Sequence, residues 1–111
     1  MRSLAGHSFQ SGAERRRAEE LVEMEEVGDI TGLEFQKVVW LTRASVQYTA
    51  DFFYHEEERD IDIYEEVKGK ECYPWYTIRK LWRVYGPTVL IVLKVGSRGQ
   101  LRIAEQIWPT G

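Results

Sequence analysis

An α/β fold, a mixed sheet flanked by helices, is what this sequence predicts, and three observations predict it. Residues 12–27 and 74–85 carry apolar side chains at helical spacing, and the stretches between them alternate with the two-residue period of strands. Val89-Leu90-Ile91-Val92-Leu93 is an unbroken apolar run, the pattern of a strand buried on both faces. The resulting order, αβββαβ, fits one sheet covered by helices. With 111 residues the chain has room for a single hydrophobic core.

Residues 1–10 are small or polar and without period, so they read as a flexible tail before a single domain over 11–111. Ser11 and Glu14 have the S-x-x-E spacing of a capping box, and Ala18, Leu21, Val22 and Met24 supply the apolar stripe of a first helix, Gly12 to Val27, that Gly28 ends. A first strand covers Leu33 to Leu41. A second runs from Ser45 to Tyr54, with Val46, Tyr48, Ala50, Phe52 and Tyr54 alternating. Ile61, Ile63 and Val67 mark a third, ended by Gly69. Pro74 suits the first turn of a second helix, striped by Trp75, Ile78, Leu81, Trp82 and Tyr85, and Gly86-Pro87 stops it. The buried strand spans Thr88 to Val95. Leu101 to Trp108 fits either a short edge strand or a helix.

Composition narrows the function. At 43% hydrophobic, 13% aromatic and 30% charged, the chain is ordinarily globular. No segment approaches the roughly 20 apolar residues of a membrane span, and none has a signal peptide's apolar core, so a soluble, cytoplasmic protein without membrane partners is expected. A single cysteine, Cys72, excludes an internal disulfide and a Cys-rich zinc site, and fits a reducing compartment. The net charge of −3 argues against a protein that merely coats nucleic acid. Basic residues nevertheless cluster in Arg15–Arg17 and from Lys68 to Arg83, which permits a basic surface around an acidic pocket.

The second and third strands form a natural hairpin turning near Glu58-Arg59, and that turn sets Asp51 opposite Glu66. Alternation then puts Thr49, Asp51, Phe53, Tyr64, Glu66 and Lys68 on one face. Tyr48, Ala50, Phe52, Tyr54, Ile61, Ile63 and Val67 fall on the other, the expected core face. Carboxylates directly opposite, with Cβ atoms about 5 Å apart, repel each other unless a divalent cation lies between them. Lys68 would hold the attacking water or neutralise charge on a scissile phosphate. The same residues would also serve as a solvated hairpin face with a cross-strand ion pair, and the residues alone leave both readings open. Glu65 falls on the core side, as an ion-pair partner or strand-end residue.

These residues also resemble a known family. Asp51 followed, fifteen positions on, by Glu66-Val67-Lys68 resembles the core motif of the PD-(D/E)XK nuclease superfamily. Glu14-Arg15-Arg16-Arg17, Gly28-Asp29-Ile30, Tyr48-Thr49-Ala50-Asp51-Phe52, Glu65-Glu66-Val67-Lys68-Gly69, and Tyr76 with Arg79-Lys80-Leu81 are similar, as an ordered set from Ser11 to Tyr85, to small phage and prophage proteins of that kind. The sequence departs from the pattern in Ala50, where the superfamily has proline, and in Glu66, where phage relatives often have Asp.

The resemblance implies a restriction-endonuclease-like αβββαβ core and a Mg²⁺- or Mn²⁺-dependent deoxyribonuclease acting on DNA phosphodiesters. Asp51 and Glu66 would be metal ligands, Lys68 the catalytic lysine, and Glu14 a further acidic ligand from the first helix. Holliday-junction resolvases of the superfamily are similarly small and work as dimers, which points to branched DNA, a homodimer and the cytoplasm of a phage-infected or prophage-carrying bacterial cell. Lys70, Tyr76, Arg79, Lys80 and Arg83 would contact DNA, by phosphate pairing or stacking. The alternative is a non-catalytic nucleic-acid-binding phage accessory protein that retains the fold.

Other residues have plainer readings. Glu14 is equally the N3 member of the capping box. His55 reads as a surface histidine, Cys72 as a small buried or semi-exposed side chain, and Trp75 as core.

Overall fold

The structure is a computed structural model describing residues 4, 9, 11–41, 46–69 and 73–110. Helix α1 (Gly12–Glu26) is followed by β1 (Ile30–Trp40), β2 (Gln47–Glu56) and β3 (Ile61–Lys68). Helix α2 (Tyr73–Tyr85), β4 (Val89–Val95) and β5 (Leu101–Ile107) complete it. The five strands form one mixed sheet in the order β1-β2-β3-β4-β5. Only β3 and β4 are parallel, because only they are joined by a helical crossover, α2. The α/β class and mixed sheet follow the expectation, and Leu101–Ile107 resolves as an antiparallel edge strand on β4. Among the described residues no helix is long and apolar enough to cross a membrane.

Both faces of the sheet are covered. Ala18, Leu21 and Val22 of α1 bury Phe52, Tyr54, Ile63, Val89, Ile91 and Leu93 on one side. Trp75 and Trp82 of α2 bury Val39, Leu41, Ala50, Tyr64, Leu90, Val92 and Ile107 on the other. Consecutive β4 residues point to opposite faces, so its apolar run is needed to fill both cores. Leu4 and Phe9 lie against the α1 side, Phe9 edge-on to Phe35 at 6.1 Å; the rest of the expected tail lies outside the described residues, as do Ser45, Lys70 and Cys72.

This two-sided burial corrects the expected faces of the hairpin. Phe53 and Tyr64 pack under α2, and Tyr48 and Ala50 join them there, whereas Phe52 and Tyr54 belong to the α1 side. Strict alternation would place residues 48, 50, 52 and 54 together. Instead the faces exchange at Asp51 and, on the neighbouring strand, at Gln36, which has φ 54°. Phe35 and Val39 fall on opposite sides for the same reason. The register does not slip across Gln36, since Phe35 pairs Phe52 and Lys37 pairs Ala50; the shift in this strand pair lies earlier, between Thr31 and Glu34. A left-handed conformation costs a side-chain-bearing residue roughly 1–2 kcal/mol, and such local strain clusters where function constrains the chain.

A tight approach closes α2. The Gly86 amide donates to the Trp82 carbonyl at 2.8 Å, and Trp82 Nε1 donates to the Thr88 carbonyl at 2.8 Å. A Cβ at Gly86 would stand 2.6 Å from both Trp82 Nε1 and its carbonyl oxygen. Gly86→Ala should therefore destabilise the protein by about 1–3 kcal/mol, and a urea midpoint equal to wild type would refute it.

Candidate functional site

The pairing of β2 with β3 runs from Glu56↔Ile61 to Phe52↔Glu65, the register expected from the sequence. The next position breaks away. Asp51 does not continue the ladder through its backbone; its Oδ2 accepts the Val67 amide at 2.8 Å. A side chain replaces a strand as acceptor, and the two strands part there. The Asp51 side chain consequently reaches from β2 to the β3 backbone, and the residue is only 8% exposed.

Two further carboxylates approach it from opposite sides. Glu66, on the α2 side of β3, is 8% exposed, and Glu14, in the first turn of α1, is 3% exposed. Both lie close enough to Asp51 to act on its ionisation. Ser11 caps α1 by accepting the Glu14 amide at 3.1 Å, but the Glu14 carboxylate turns inward, where Gln36 Nε2 donates to Oε1 at 3.0 Å. The backbone of Glu14 thus serves the cap while its side chain serves the cluster. The positive end of the helix dipole favours a negative charge at this position.

Electrostatics follow from burial. Asp51 is pushed up to about 7, first by desolvation and then by the Glu66 charge, with the Val67 amide opposing. Glu66 is also raised, by burial first, although Tyr48, Asp51 and Lys68 each draw it down. Asp51 therefore keeps its proton up to near neutral pH, because burial and the neighbouring charge both disfavour its ionised form.

Lys68 stands on the α2 side, its Nζ 3.9 Å from Glu66 Oε2 and 4.6 Å from the centre of the Trp75 ring. A cleft of about 250 Å³ lined by Ser11, Ala13, Glu14, Val67, Lys68 and Gly69 opens toward the cluster from the N-terminus of α1. A larger groove along Arg16, Glu19, Glu23 and Leu101 lies away from it.

Glu65 is placed as expected for a core-side residue and does not join the site. It is fully buried and takes a bidentate hydrogen bond from Arg17, at 2.8 and 2.7 Å, with Tyr54 donating to Oε2. The basic side of α2 is partly engaged. Arg79 and Arg83 pair with Glu105 of β5 at 3.1 and 3.6 Å, and Arg79 also lies over the Trp75 and Tyr76 rings. Lys80 is exposed and Tyr76 is 48% exposed. His55, at the far end of the hairpin, bridges Asp60 and Asp62, both at 2.9 Å.

Two residues at the site escaped the sequence reading. Tyr48 donates its hydroxyl to Glu66 Oε1, although its alternation with Phe52 and Tyr54 suggested the opposite face. Burial and the Glu66 charge hold that hydroxyl well above its ordinary pKa, so it stays a donor. Gln36 offered no sequence signal, since nothing local predicts a left-handed residue inside a strand. Among the described residues, no three His, Cys, Asp or Glu side chains stand in the geometry of a preformed metal centre. No family model, curated protein or solved structure matches the chain.

Proposed function

We propose that the protein is a metal-dependent DNA endonuclease with a restriction-endonuclease-like core, hydrolysing phosphodiester bonds of branched DNA as a homodimer in a phage-infected or prophage-carrying bacterial cell. One observation carries the reading: Asp51 leaves its ladder for the Val67 amide and meets Glu66 and Glu14 beside Lys68. Burying three acidic side chains together is unfavourable for a fold alone. A site that exchanges the Asp51 proton for a cation has use for them.

The donor set fits Mg²⁺ or Mn²⁺, which favour hard carboxylate oxygens. Asp51, Glu66 and Glu14 would hold the ion, which when bound would lower the pKa of a water and stabilise charge on the phosphate. Lys68, kept off a tight pair with Glu66, has its ammonium available to orient the nucleophilic water and offset phosphate charge. In the reaction the water oxygen bonds to phosphorus, one ester P–O bond breaks, and the departing oxygen takes a proton. Lys80 and Tyr76, and Arg79 and Arg83 in competition with Glu105, would meet the DNA backbone together with Lys70.

The test is incubation of labelled duplex, flap, single-stranded and four-way-junction DNA with Mg²⁺ or Mn²⁺. Cleavage of the junction is expected, with Asp51→Ala and Glu66→Ala losing it while retaining DNA binding. Metal-dependent cleavage by both purified variants would overturn the assignment. DNA binding by wild type without cleavage or metal uptake would favour the non-catalytic accessory role.

A further inference from the structure

Lys68 and Glu66 lie two residues apart on one face of β3, the glutamate buried and the lysine half-buried, yet their charged groups are 3.9 Å apart. An ammonium and a carboxylate so placed and partly shielded from water would ordinarily close to a hydrogen-bonded pair at about 2.7–2.9 Å. Two aromatic side chains compete for them. Tyr48 donates to Oε1 of Glu66. The face of Trp75 carries the Lys68 ammonium at 4.6 Å from its centre, a cation–π contact for which indole is the best of the aromatic rings. Tyr48 and Trp75 also touch each other, with ring centres 6.4 Å apart, and Tyr48 sits edge-on to Trp82 at 6.0 Å, so α2 fixes both rings.

Trp75 adds a second indication. It is 2% exposed, and its Nε1 is buried without a hydrogen-bond partner among the described residues. A buried unpaired N–H is unfavourable, and phenylalanine or leucine would fill this core without one. What indole offers in exchange is its π-face, and Lys68 occupies it.

We propose that Tyr48 and Trp75 are a pair of positioning residues that hold Glu66 and Lys68 apart: Tyr48 orients the Glu66 carboxylate toward the cation site, and Trp75 holds the Lys68 ammonium clear of it. This rests on the nuclease reading above. Neither residue touches the substrate or the reacting atoms. The division of labour predicts different defects, the tyrosine acting on cation affinity and the tryptophan on turnover.

The experiment uses the full chain and two ring-for-ring variants, Tyr48→Phe and Trp75→Phe, with Mn²⁺ binding by calorimetry and junction cleavage measured separately. Tyr48→Phe should weaken Mn²⁺ binding by about tenfold, as loss of a hydrogen bond to a metal ligand does. Rescue is not expected from higher DNA concentration. Trp75→Phe should bind Mn²⁺ as wild type does and lower kcat by about tenfold with KM unchanged. A change in Mn²⁺ affinity under about threefold for Tyr48→Phe overturns the proposal, as does an unchanged kcat for Trp75→Phe. Thermal melts accompany both. If Tyr48→Phe does not fold, the split between affinity and kcat in Trp75→Phe decides the matter alone. Wild-type protein that neither takes up Mn²⁺ nor cleaves DNA would overturn the nuclease reading and this inference with it, whereas a wild type that does both, with variants unaltered, overturns this inference only.

Discussion

Arg17→Ala should destabilise the protein by about 3–5 kcal/mol, the usual consequence of removing one partner of a buried ion pair. The Glu65 side chain is 1% exposed and that of Arg17 19%. Burial works against the guanidinium charge, and Glu65 more than restores it, so Arg17 stays charged through this contact. Without Arg17 the Glu65 carboxylate retains the Tyr54 hydroxyl but has lost its counter-charge, and must either stay uncompensated or take up a proton. Urea denaturation of Arg17→Ala beside Arg17→Met/Glu65→Leu separates the causes. The double variant should be markedly the more stable of the two, because an apolar pair leaves no stranded charge. Equal losses would show that packing, and not the charge, is responsible. The pair also matters to the site. Glu65 precedes Glu66 on β3, and Arg17 lies one helical turn after Glu14 on α1, so this one contact registers the helix-borne carboxylate against the strand-borne one.

Asp51→Asn should abolish cleavage, by more than the 10–100-fold typical of groups that only support a metal ligand, and at the same time stabilise the metal-free protein above pH 7. Asparagine keeps an oxygen for the Val67 amide and removes a charge from beside Glu66. The pH dependence follows from the raised pKa. In the unfolded chain Asp51 ionises near its ordinary value of 3.8, and in the folded protein at about 7. Between those values the folded state binds the extra proton, so stability falls as pH rises through that window. The contribution is fully present below the unfolded value and gone once the pH has passed the folded one. Thermal melts of wild type without metal should therefore decline from pH 5 to pH 8 more steeply than those of Asp51→Asn. Mg²⁺ at pH 8 should raise the melting temperature of wild type and leave the variant nearly unchanged. Parallel pH profiles for the two proteins would contradict a proton held at Asp51.

Much of this arrangement was legible in local patterns. The helices and the first four strands followed from apolar period and from Ser11, Gly28, Gly69 and Gly86-Pro87, because capping and turn chemistry are local. The hairpin register was legible too, since the turn near Glu58-Arg59 fixes it and the structure keeps it, pairing Phe52 with Glu65. Glu66 was separable from Glu65 on that register alone. Leu101–Ile107 was ambiguous because an edge strand buries little, and its burial alternation is interrupted where the register with β4 shifts between Val92 and Leu93.

Local patterns along the chain thus set the α/β class, the register that brings Asp51 level with Glu66, and the candidacy of Glu14 and Lys68. Long-range packing set the rest: both hairpin faces are covered, the faces exchange at Gln36 and Asp51, and Tyr48 and Trp75 stand beside Glu66 and Lys68. The difference is one of range. Period, caps and turns are set by neighbours along the chain, whereas the left-handed turn at Gln36 and the departure of Asp51 from its ladder are favourable only when distant groups receive them. Those groups are Glu14 for the Gln36 amide and the Val67 amide for the Asp51 carboxylate.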